Sequence, residues 1–292
     1  MNFRHTLLAV FINLIWGSMF IAATIGLREF PPIFFTGVRF VLLFLCLIHF
    51  IKVPLPKIKP LITIGLLLGS GMYLALYLSI ALAENTASIA LFNKLEVPFA
   101  MILGVVLLKE KVDSIQITGI LIAMSGAAVI SFHPSALNDQ PALFWMAICC
   151  AFAAVGMIKV RLLTDVHALT ITAWISLVGS ATLLLTSFVF EDHQATVLTN
   201  ASWVGWAALI YTAVMSSFVA NSGLFYLLQH YPVSQVAPYS LLSPVFAVVG
   251  GVLFLQDELT PGLINGGVLI LAGVGLIHLR AMAMSRNNKV SN

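Results

Sequence analysis

Ten long apolar runs restrict this chain more than any other feature of its sequence. An α-helix rises about 1.5 Å per residue, so about 20 apolar residues are needed to cross the ~30 Å hydrocarbon core of a bilayer. Runs of about this length lie at residues 6–27, 33–51, 61–82, 87–108, 115–132, 141–158, 168–190, 203–228, 235–255 and 262–280. The connectors are short and contain turn-forming prolines, such as Pro54 and Pro261. We therefore predict an all-α membrane protein with ten transmembrane helices.

The composition is that of a chain surrounded by lipid rather than by water. Hydrophobic residues make up 60% of the 292 residues and charged residues only 9%, whereas about 25% of a soluble domain is charged. The net charge of +3 is scattered in small groups between apolar runs, so we expect no nucleic-acid partner. The three cysteines lie inside apolar runs without the spacing of metal ligands, and we expect no metal and no cofactor.

The positions of the basic residues predict how the spans are oriented. Cytoplasmic loops of membrane proteins carry an excess of Lys and Arg. With the N-terminus in the cytoplasm, eleven bases fall on the cytoplasmic side and only Arg28 falls on the outer side. The first run is long enough to span and is not followed by a small-residue cleavage site, so we interpret it as a helix and not as a signal peptide. We therefore expect both termini in the cytoplasm.

Similar segments recur in the two groups of five runs. Ser88 and Pro98 in the fourth run match Ser234 and Pro244 at the ninth run with one constant offset. A second copy of five spans must enter the membrane upside down relative to the first. We therefore predict two inverted five-helix repeats.

The predicted repeats cover residues 1–135 and 136–292, and the second ends in a short cytoplasmic tail. Inverted repeats are a recurring plan of secondary transporters, in which the substrate site lies near the bilayer midplane between the halves. The repeat pattern therefore predicts a carrier for a small molecule.

Several motifs along the chain resemble those of EamA-type members of the drug/metabolite transporter superfamily. They lie at 15–20 in the first run, 31–40 entering the second, 236–245 at the start of the ninth, and 257–260 with Gly266 and Gly267 before and in the tenth. The resemblance covers essentially the whole chain and is nearest to bacterial exporters of amino acids and cysteine-pathway metabolites. It implies a ten-helix protein of the bacterial inner membrane, with both termini cytoplasmic, that transports without ATP hydrolysis.

Lys94 and Glu96 depart from the family pattern, because relatives tend to have neutral polar residues in the fourth span. An ionisable residue inside a span costs at least ~2.5 to 3.5 kcal/mol, so it needs a partner or an aqueous cavity. In a functional interpretation, Lys94 binds a substrate carboxylate and Glu96 the ammonium group, and a kink at Pro98 directs both into one cavity. In a structural interpretation, each pairs with another helix, for example Glu96 with Arg39.

Further residues lie at depths where a cavity or gate is expected. The predicted substrate-binding residues are Lys94, Glu96, Asn93, Trp16, Tyr73, Tyr77, Asn221 and Tyr239. The predicted gating or structural residues are Arg39, Trp174, Pro98 and Pro244. For Arg39 we favour hydrogen bonds to helix-end carbonyls over a grip on a carboxylate, although its planar fork suits both. We interpret His49 and His278 as interfacial histidines.

Other classes of function fit the sequence less well. It has no HExxH, GxSxG or GxxxxGK motif, so we predict neither an enzyme nor a catalytic residue, and no filter sequence indicates a channel. Glycines such as Gly119 and Gly126 permit close packing within one chain or a homodimer seam. We predict a secondary transporter that exports amino acids or related metabolites, with the small-molecule substrate and the bilayer as partners. Uptake or exchange of a sugar or nucleotide-sugar is the alternative.

Overall fold

The described part of the protein is helical throughout. The computed structural model describes residues 3–108, 113–131, 139–163, 166–192, 194–231 and 236–290. Within these ranges no β-strand occurs, and the prediction of an all-α protein is confirmed. The helices in chain order are α1 (Phe3–Leu27), α2 (Pro32–Leu47), α3 (Leu55–Ile64), α4 (Tyr73–Leu82), α5 (Thr86–Phe92), α6 (Glu96–Leu108), α7 (Ser114–Ser131), α8 (Gln140–Arg161), α9 (Ala168–Phe190), α10 (Gln194–Asn200), α11 (Trp203–Ile210), α12 (Asn221–His230), α13 (Leu242–Gly250) and α14 (Pro261–Val290).

Eight helical stretches of the described residues are long and apolar enough to cross a membrane. They are Phe3–Leu27, Pro32–Phe50, Leu55–Leu82, Thr86–Val106, Gln140–Val160, Ala168–Phe190, Trp203–Leu224 and Pro261–Arg280. Two shorter apolar helices, Ser114–Ile130 and Tyr239–Leu255, stand where the fifth and ninth spans are predicted. The third stretch begins at Leu55, six residues before the predicted run at residue 61. Pro56 lies in its first turn, where a proline is tolerated.

Large apolar side chains cover the outside of the helix bundle. Phe188, Leu253 and Phe254 are each about 70% exposed, which suits contact with lipid chains and not with water. The main core lies between the two groups of helices, and it joins Phe35 and Ile89 from the first to Leu209 from the second.

Helices α7 and α14 are in close contact because glycines face each other. A Cβ added to Gly126 would lie 2.6 Å from the carbonyl oxygen of Gly266, and one added to Gly273 would lie 2.5 Å from the Ala123 nitrogen. Gly119 likewise faces the Gly273 carbonyl. These glycines therefore pack two helices of one chain against each other, which is the first of the two uses that the sequence left open.

The regular α-helices are interrupted at related positions in the two sequence halves. We call Gly65–Met72 the first π-helical segment and Tyr211–Ala220 the second, and a shorter π-helical stretch, Gly251–Leu255, follows α13. Their first residues lie 146 residues apart, which is the offset between Pro98 and Pro244. Since π-helical turns are rare and are often found at functional sites, both segments mark places to look for function.

Short 3₁₀ turns recur in the same way. One covers Asn93–Leu95 and ends just before α6, and another covers Ala237–Leu241 and ends just before α13. Pro98 and Pro244 therefore lie in the first turn of the helix that follows, where the missing N–H of proline is tolerated. The kink predicted at Pro98 takes the form of this 3₁₀ turn.

Substituting Gly126 by Ala is expected to destabilise the protein, because the new methyl group would meet the Gly266 carbonyl and the Ile270 nitrogen, 2.6 and 2.7 Å away. Overpacking of this kind typically costs about 1 to 3 kcal/mol. Gly275→Ala is the matched control, because its nearest neighbour, in Leu241, is 3.6 Å from the added carbon. Thermal unfolding in detergent should show a lower melting temperature for Gly126→Ala only. Equal melting temperatures for the two variants would contradict the described packing.

Candidate functional site

A cavity of about 430 Å³ lies between the two groups of helices. This volume is within the range of small-molecule sites, about 300 to 1,000 Å³. Its polar lining consists of Asn13, Asn93, Lys94, Glu96, Ser216, Asn221, Ser240, Ser243 and His278. Its apolar lining includes Ile12, Trp16, Met19, Phe20, Met72 and Leu76. Toward the end of the bundle where α1 begins, the cavity reaches Ala9, Leu227 and Val236.

Lys94 and Glu96 both line this cavity. In an α-helix, residues two positions apart point about 160° away from each other, whereas three residues per turn in a 3₁₀ helix reduce this angle to about 120°. Lys94 lies in the 3₁₀ turn Asn93–Leu95, and Glu96 follows directly. The local backbone therefore helps two residues at this spacing to face one cavity.

The Lys94 side chain is only 8% exposed. Among the described residues, it makes no hydrogen bond and no ion pair within 4.0 Å, although Glu96 lies near enough for its charge to act on Lys94. A buried ammonium group without a direct partner is costly. Lys94 therefore lies at the cavity wall without a direct counter-charge among the described residues.

Arg39 does not pair with Glu96. Its Nε donates to the Thr212 carbonyl oxygen at 3.1 Å, and its Nη2 donates to the Ser217 hydroxyl. Its guanidinium carbon also lies 4.6 Å from the centre of the Tyr73 ring. The pairing of Glu96 with Arg39, considered from the sequence, is thus replaced by contacts to a carbonyl, a hydroxyl and an aromatic face.

The structure brings six of the predicted substrate-binding residues together and separates two. Trp16, Tyr73, Asn93, Lys94, Glu96 and Asn221 line the cavity. Tyr77 is fully buried beneath Arg39, with its ring centre 5.5 Å from the guanidinium carbon, and does not reach the cavity. Tyr239 packs instead against the apolar cluster that includes Ile12 and Leu227.

The predicted gating or structural residues lie outside the cavity wall. The Trp174 indole N–H donates to the Ile51 carbonyl oxygen at 3.1 Å and so joins α9 to the end of the second span. Pro98 and Pro244 are buried within their own helices. Arg39 is 1% exposed and lies behind Tyr73.

Sequence reasoning missed several residues of the wall. His278 lines the cavity rather than an interface, and its Nε2 is buried without a hydrogen-bond partner among the described residues. Ser240 and Ser243 were also missed, although the repeat contained a signal for both. An offset of 146 residues leads from Lys94 to Ser240 and from Val97 to Ser243, and all four line the cavity.

Carboxylates at helix N-termini join the two halves at the opposite end of the bundle. Glu191 accepts hydrogen bonds of 2.8 Å from the backbone nitrogens of Ile33 and Phe34, where α2 begins. Glu29 accepts bonds of 2.6 Å from the backbone nitrogen and the hydroxyl of Ser202, just before α11. These bonds from Ser202 lower the pKa of Glu29. Negative charge is favourable at these positions because helix N-termini carry partial positive charge.

Two further carboxylates hold the start of the span that carries Lys94. Asp139 accepts from the Glu84 nitrogen at 2.7 Å, and Asp257 accepts from the Ala87 nitrogen at 2.9 Å. Burial raises the pKa of both aspartates, since it penalises their charged forms. Gln256, in the left-handed conformation with φ of 63°, turns the chain immediately before Asp257.

Comparison with known proteins agrees with this architecture. The model of the EamA-like transporter family matches residues 4–132 and, a second time, residues 140–279. The chain belongs to the EamA-like transporter family. The resemblance inferred from the sequence motifs is confirmed, and the protein is an integral membrane transporter.

Relatives of the EamA-like transporter family support the same assignment. A probable amino-acid metabolite efflux pump of Salmonella typhimurium is 27% identical over 302 residues and covers 100% of both chains. A protein of the same description from Escherichia coli is 26% identical over 285 residues, with 94% of each chain covered. A crystal structure with 18% identity has a TM-score of 0.66 and covers 97% of this chain and 99% of its own, which supports the fold alone. The family and relatives are described as transporters and not as enzymes.

Removing the Asp257 carboxylate is expected to destabilise the protein. Asp257→Ala leaves the Ala87 N–H without its acceptor, at a cost of about 1 to 3 kcal/mol. Asp257→Asn keeps an oxygen acceptor and removes a buried charge, so its melting temperature in detergent should stay closer to that of the wild type.

The pH dependence should change in a defined direction. Burial raises the pKa of Asp257, so the folded protein binds a proton at this carboxyl group more tightly than the unfolded chain does. The stability of the fold therefore rises as the pH falls from above the pKa of the folded state to the ordinary aspartate pKa. Asp257→Asn should weaken this rise, and Asp139 should supply what remains. An unchanged pH profile, or equal melting temperatures for the Ala and Asn variants, would contradict the described contacts.

Proposed function

We propose that this transporter exports amino acids or related small metabolites across the bacterial inner membrane by alternating access. The observation that carries the proposal is that Lys94 lines a cavity between the halves and has no ion-pair partner in the part of the chain that the structure describes. A substrate carboxylate would supply the missing counter-charge, and Glu96 would bind the substrate ammonium group. The relatives from Salmonella typhimurium and Escherichia coli are named as probable efflux pumps, which supports this direction.

The rest of the wall suits the remainder of an amino acid. Trp16, Phe20 and Met72 offer apolar surface to a side chain, whereas Asn93 and Asn221 offer amide groups. A site with both charged poles and an apolar wall favours a zwitterion over a sugar, which needs hydroxyl contacts and no paired charges.

The proposed transport cycle rests on ten spans in two inverted repeats, at residues 1–135 and 136–292. Two observations support this arrangement: the family model matches once in each half, and the two π-helical segments begin at the repeat offset. In this arrangement Ser114–Ile130 and Tyr239–Leu255 are the fifth and ninth spans. Two inverted halves can exchange conformations and so expose a central site first to one side and then to the other.

With both termini in the cytoplasm, the cavity would reach toward the cytoplasmic side, where it is lined by Ala9 and Leu227. The opposite, outer side would be closed by Glu29, Glu191 and Asp257 at helix N-termini. This is the state expected to receive a substrate from inside the cell.

Lys94→Gln and Glu96→Gln are each expected to reduce efflux by at least about tenfold, because a charge-assisted contact is typically worth about 1.5 to 3 kcal/mol. Cells that express each variant would be loaded with dipeptides that release single amino acids, and the amino acids outside would be measured over time. Lys159→Gln and Glu258→Gln are matched controls, because both side chains are exposed away from the cavity. Efflux from the two cavity variants equal to that of the wild type would remove the site assignment. Wild-type export of sugars but of no amino acid would overturn the proposed substrate class.

The inverted arrangement predicts opposite accessibility for two related connectors. In a variant without the native cysteines, a cysteine in place of Ser114, before the fifth span, should react with a membrane-impermeant maleimide only in inside-out vesicles. A cysteine in place of Glu258, before the tenth span, should react only in intact cells. Reaction of both from the same side would show that the halves share one orientation.

A further inference from the structure

A second buried cation, Arg39, lies between the second π-helical segment and α4, which follows directly after the first π-helical segment. Arg39 extends from α2, and its side chain is 1% exposed. Toward the second π-helical segment it donates to the Thr212 carbonyl oxygen at 3.1 Å and to the Ser217 hydroxyl. The same carbonyl also accepts a bond of 3.3 Å from Ser217. Arg39 is thus bonded to the irregular part of a helix from the second half of the chain.

On its other side Arg39 contacts the first half. Its guanidinium carbon lies 4.6 Å from the ring centre of Tyr73 and 5.5 Å from that of Tyr77. These distances are typical of cation–π contacts. Tyr73 follows directly after the first π-helical segment and lines the cavity. Phe40 packs against the Tyr73 ring edge-on, with the ring centres 4.9 Å apart, and so holds it in place.

These contacts join two cavity-lining residues that belong to different halves of the chain. Asn221, which also lines the cavity, donates to the Ser217 carbonyl at 2.9 Å. A chain of contacts therefore leads from Asn221 through Ser217 and Arg39 to Tyr73. Arg39 itself does not line the cavity within the described part of the chain, so it is placed to act on the walls and not on the substrate.

The way in which the Arg39 charge is stabilised makes it sensitive to the position of both segments. Its partners in the described ranges are a carbonyl, a hydroxyl and aromatic faces, with no carboxylate, and its Nη1 has no hydrogen-bond partner. Each of these weaker partners contributes only at close range. If one segment moves away from the other, Arg39 loses a large share of its stabilisation.

We propose that Arg39 is a positioning residue that holds the second π-helical segment against the start of α4, and so next to the first π-helical segment, while the cavity faces the cytoplasm. Exposure of the cavity to the outer side requires the segments to separate, and therefore requires the contacts of Arg39 with Tyr73 or with Thr212 and Ser217 to break. Arg39 thereby sets the balance between the two states of the carrier. This inference rests on the proposed alternating-access function.

The test measures the side from which the cavity is open and needs no substrate. Ser240 is half-buried and lines the cavity, so Ser240→Cys in a variant without the native cysteines provides a reporter. Its reaction rate with a membrane-impermeant methanethiosulfonate reagent is measured in inside-out vesicles and in intact cells. With Arg39 present, we expect faster reaction in inside-out vesicles. Arg39→Gln should lower the ratio of inner to outer rates by about tenfold, which corresponds to about 1.4 kcal/mol.

Two variants separate positioning from a merely structural role. Arg39→Lys keeps a cation near Tyr73 but loses the planar fork, so it should restore the ratio in part. Arg4→Gln, the same change at an exposed position, should leave the ratio as in the wild type. If Arg39 had a merely structural role, Arg39→Gln would reduce the amount of folded protein but leave the ratio of inner to outer reaction rates of the folded protein unchanged. That result would overturn the proposal.

Further outcomes distinguish this inference from the function on which it rests. If Arg39→Gln does not fold, Ser217→Ala keeps Arg39 and removes its Nη2 acceptor, together with the bond of 3.3 Å from Ser217 to the Thr212 carbonyl. It should then shift the ratio in the same direction by a smaller factor, and no shift would overturn the proposal. Equal rates from both sides in the protein with Arg39 would overturn alternating access itself. A one-sided rate that Arg39→Gln leaves unchanged would overturn only the role of Arg39.

Discussion

The cost of placing charge in lipid determines much of this structure. A cation away from water needs a counter-charge, polar contacts or a hydrated space, and two buried cations meet this need differently. Arg39 is surrounded by a carbonyl, a hydroxyl and aromatic rings. Lys94 has none of these within the described residues and borders a cavity. This contrast is the basis for proposing that Arg39 joins helices and that Lys94 binds a ligand.

Departures from regular helix make the cavity possible. The two π-helical segments and the 3₁₀ turns before α6 and α13 change the direction of side chains between the halves. Elsewhere the helices pack closely, as at the glycines of α7 and α14. Tight packing at these helices together with irregular backbone at the centre gives a bundle in which a polar space can persist.

The sequence predicted those properties that depend on local composition and on periodicity. Apolar length located the helices, and the motifs along the chain pointed to the family. Side-chain direction was harder, because it depends on backbone type: the irregular backbone expected at Pro98 is a 3₁₀ turn at Asn93–Leu95, which contains Lys94 and ends directly before Glu96. Partners distant in the chain were not predictable either. Tyr77 was expected in the cavity but lies beneath Arg39, and His278 reaches the cavity because α14 packs beside the segment that carries Lys94.

The central claim is that Lys94 binds the carboxylate of the substrate. The most direct test measures the affinity of the purified carrier for two ligands: the amino acid that it exports fastest and the corresponding amino-acid amide. Both affinities are measured for the wild type and for Lys94→Gln. We predict that the wild type prefers the carboxylate by at least about tenfold and that Lys94→Gln loses this preference, since a charge-assisted contact is worth about 1.5 to 3 kcal/mol. Equal affinities in the wild type, or a preference that persists in Lys94→Gln, would contradict the claim.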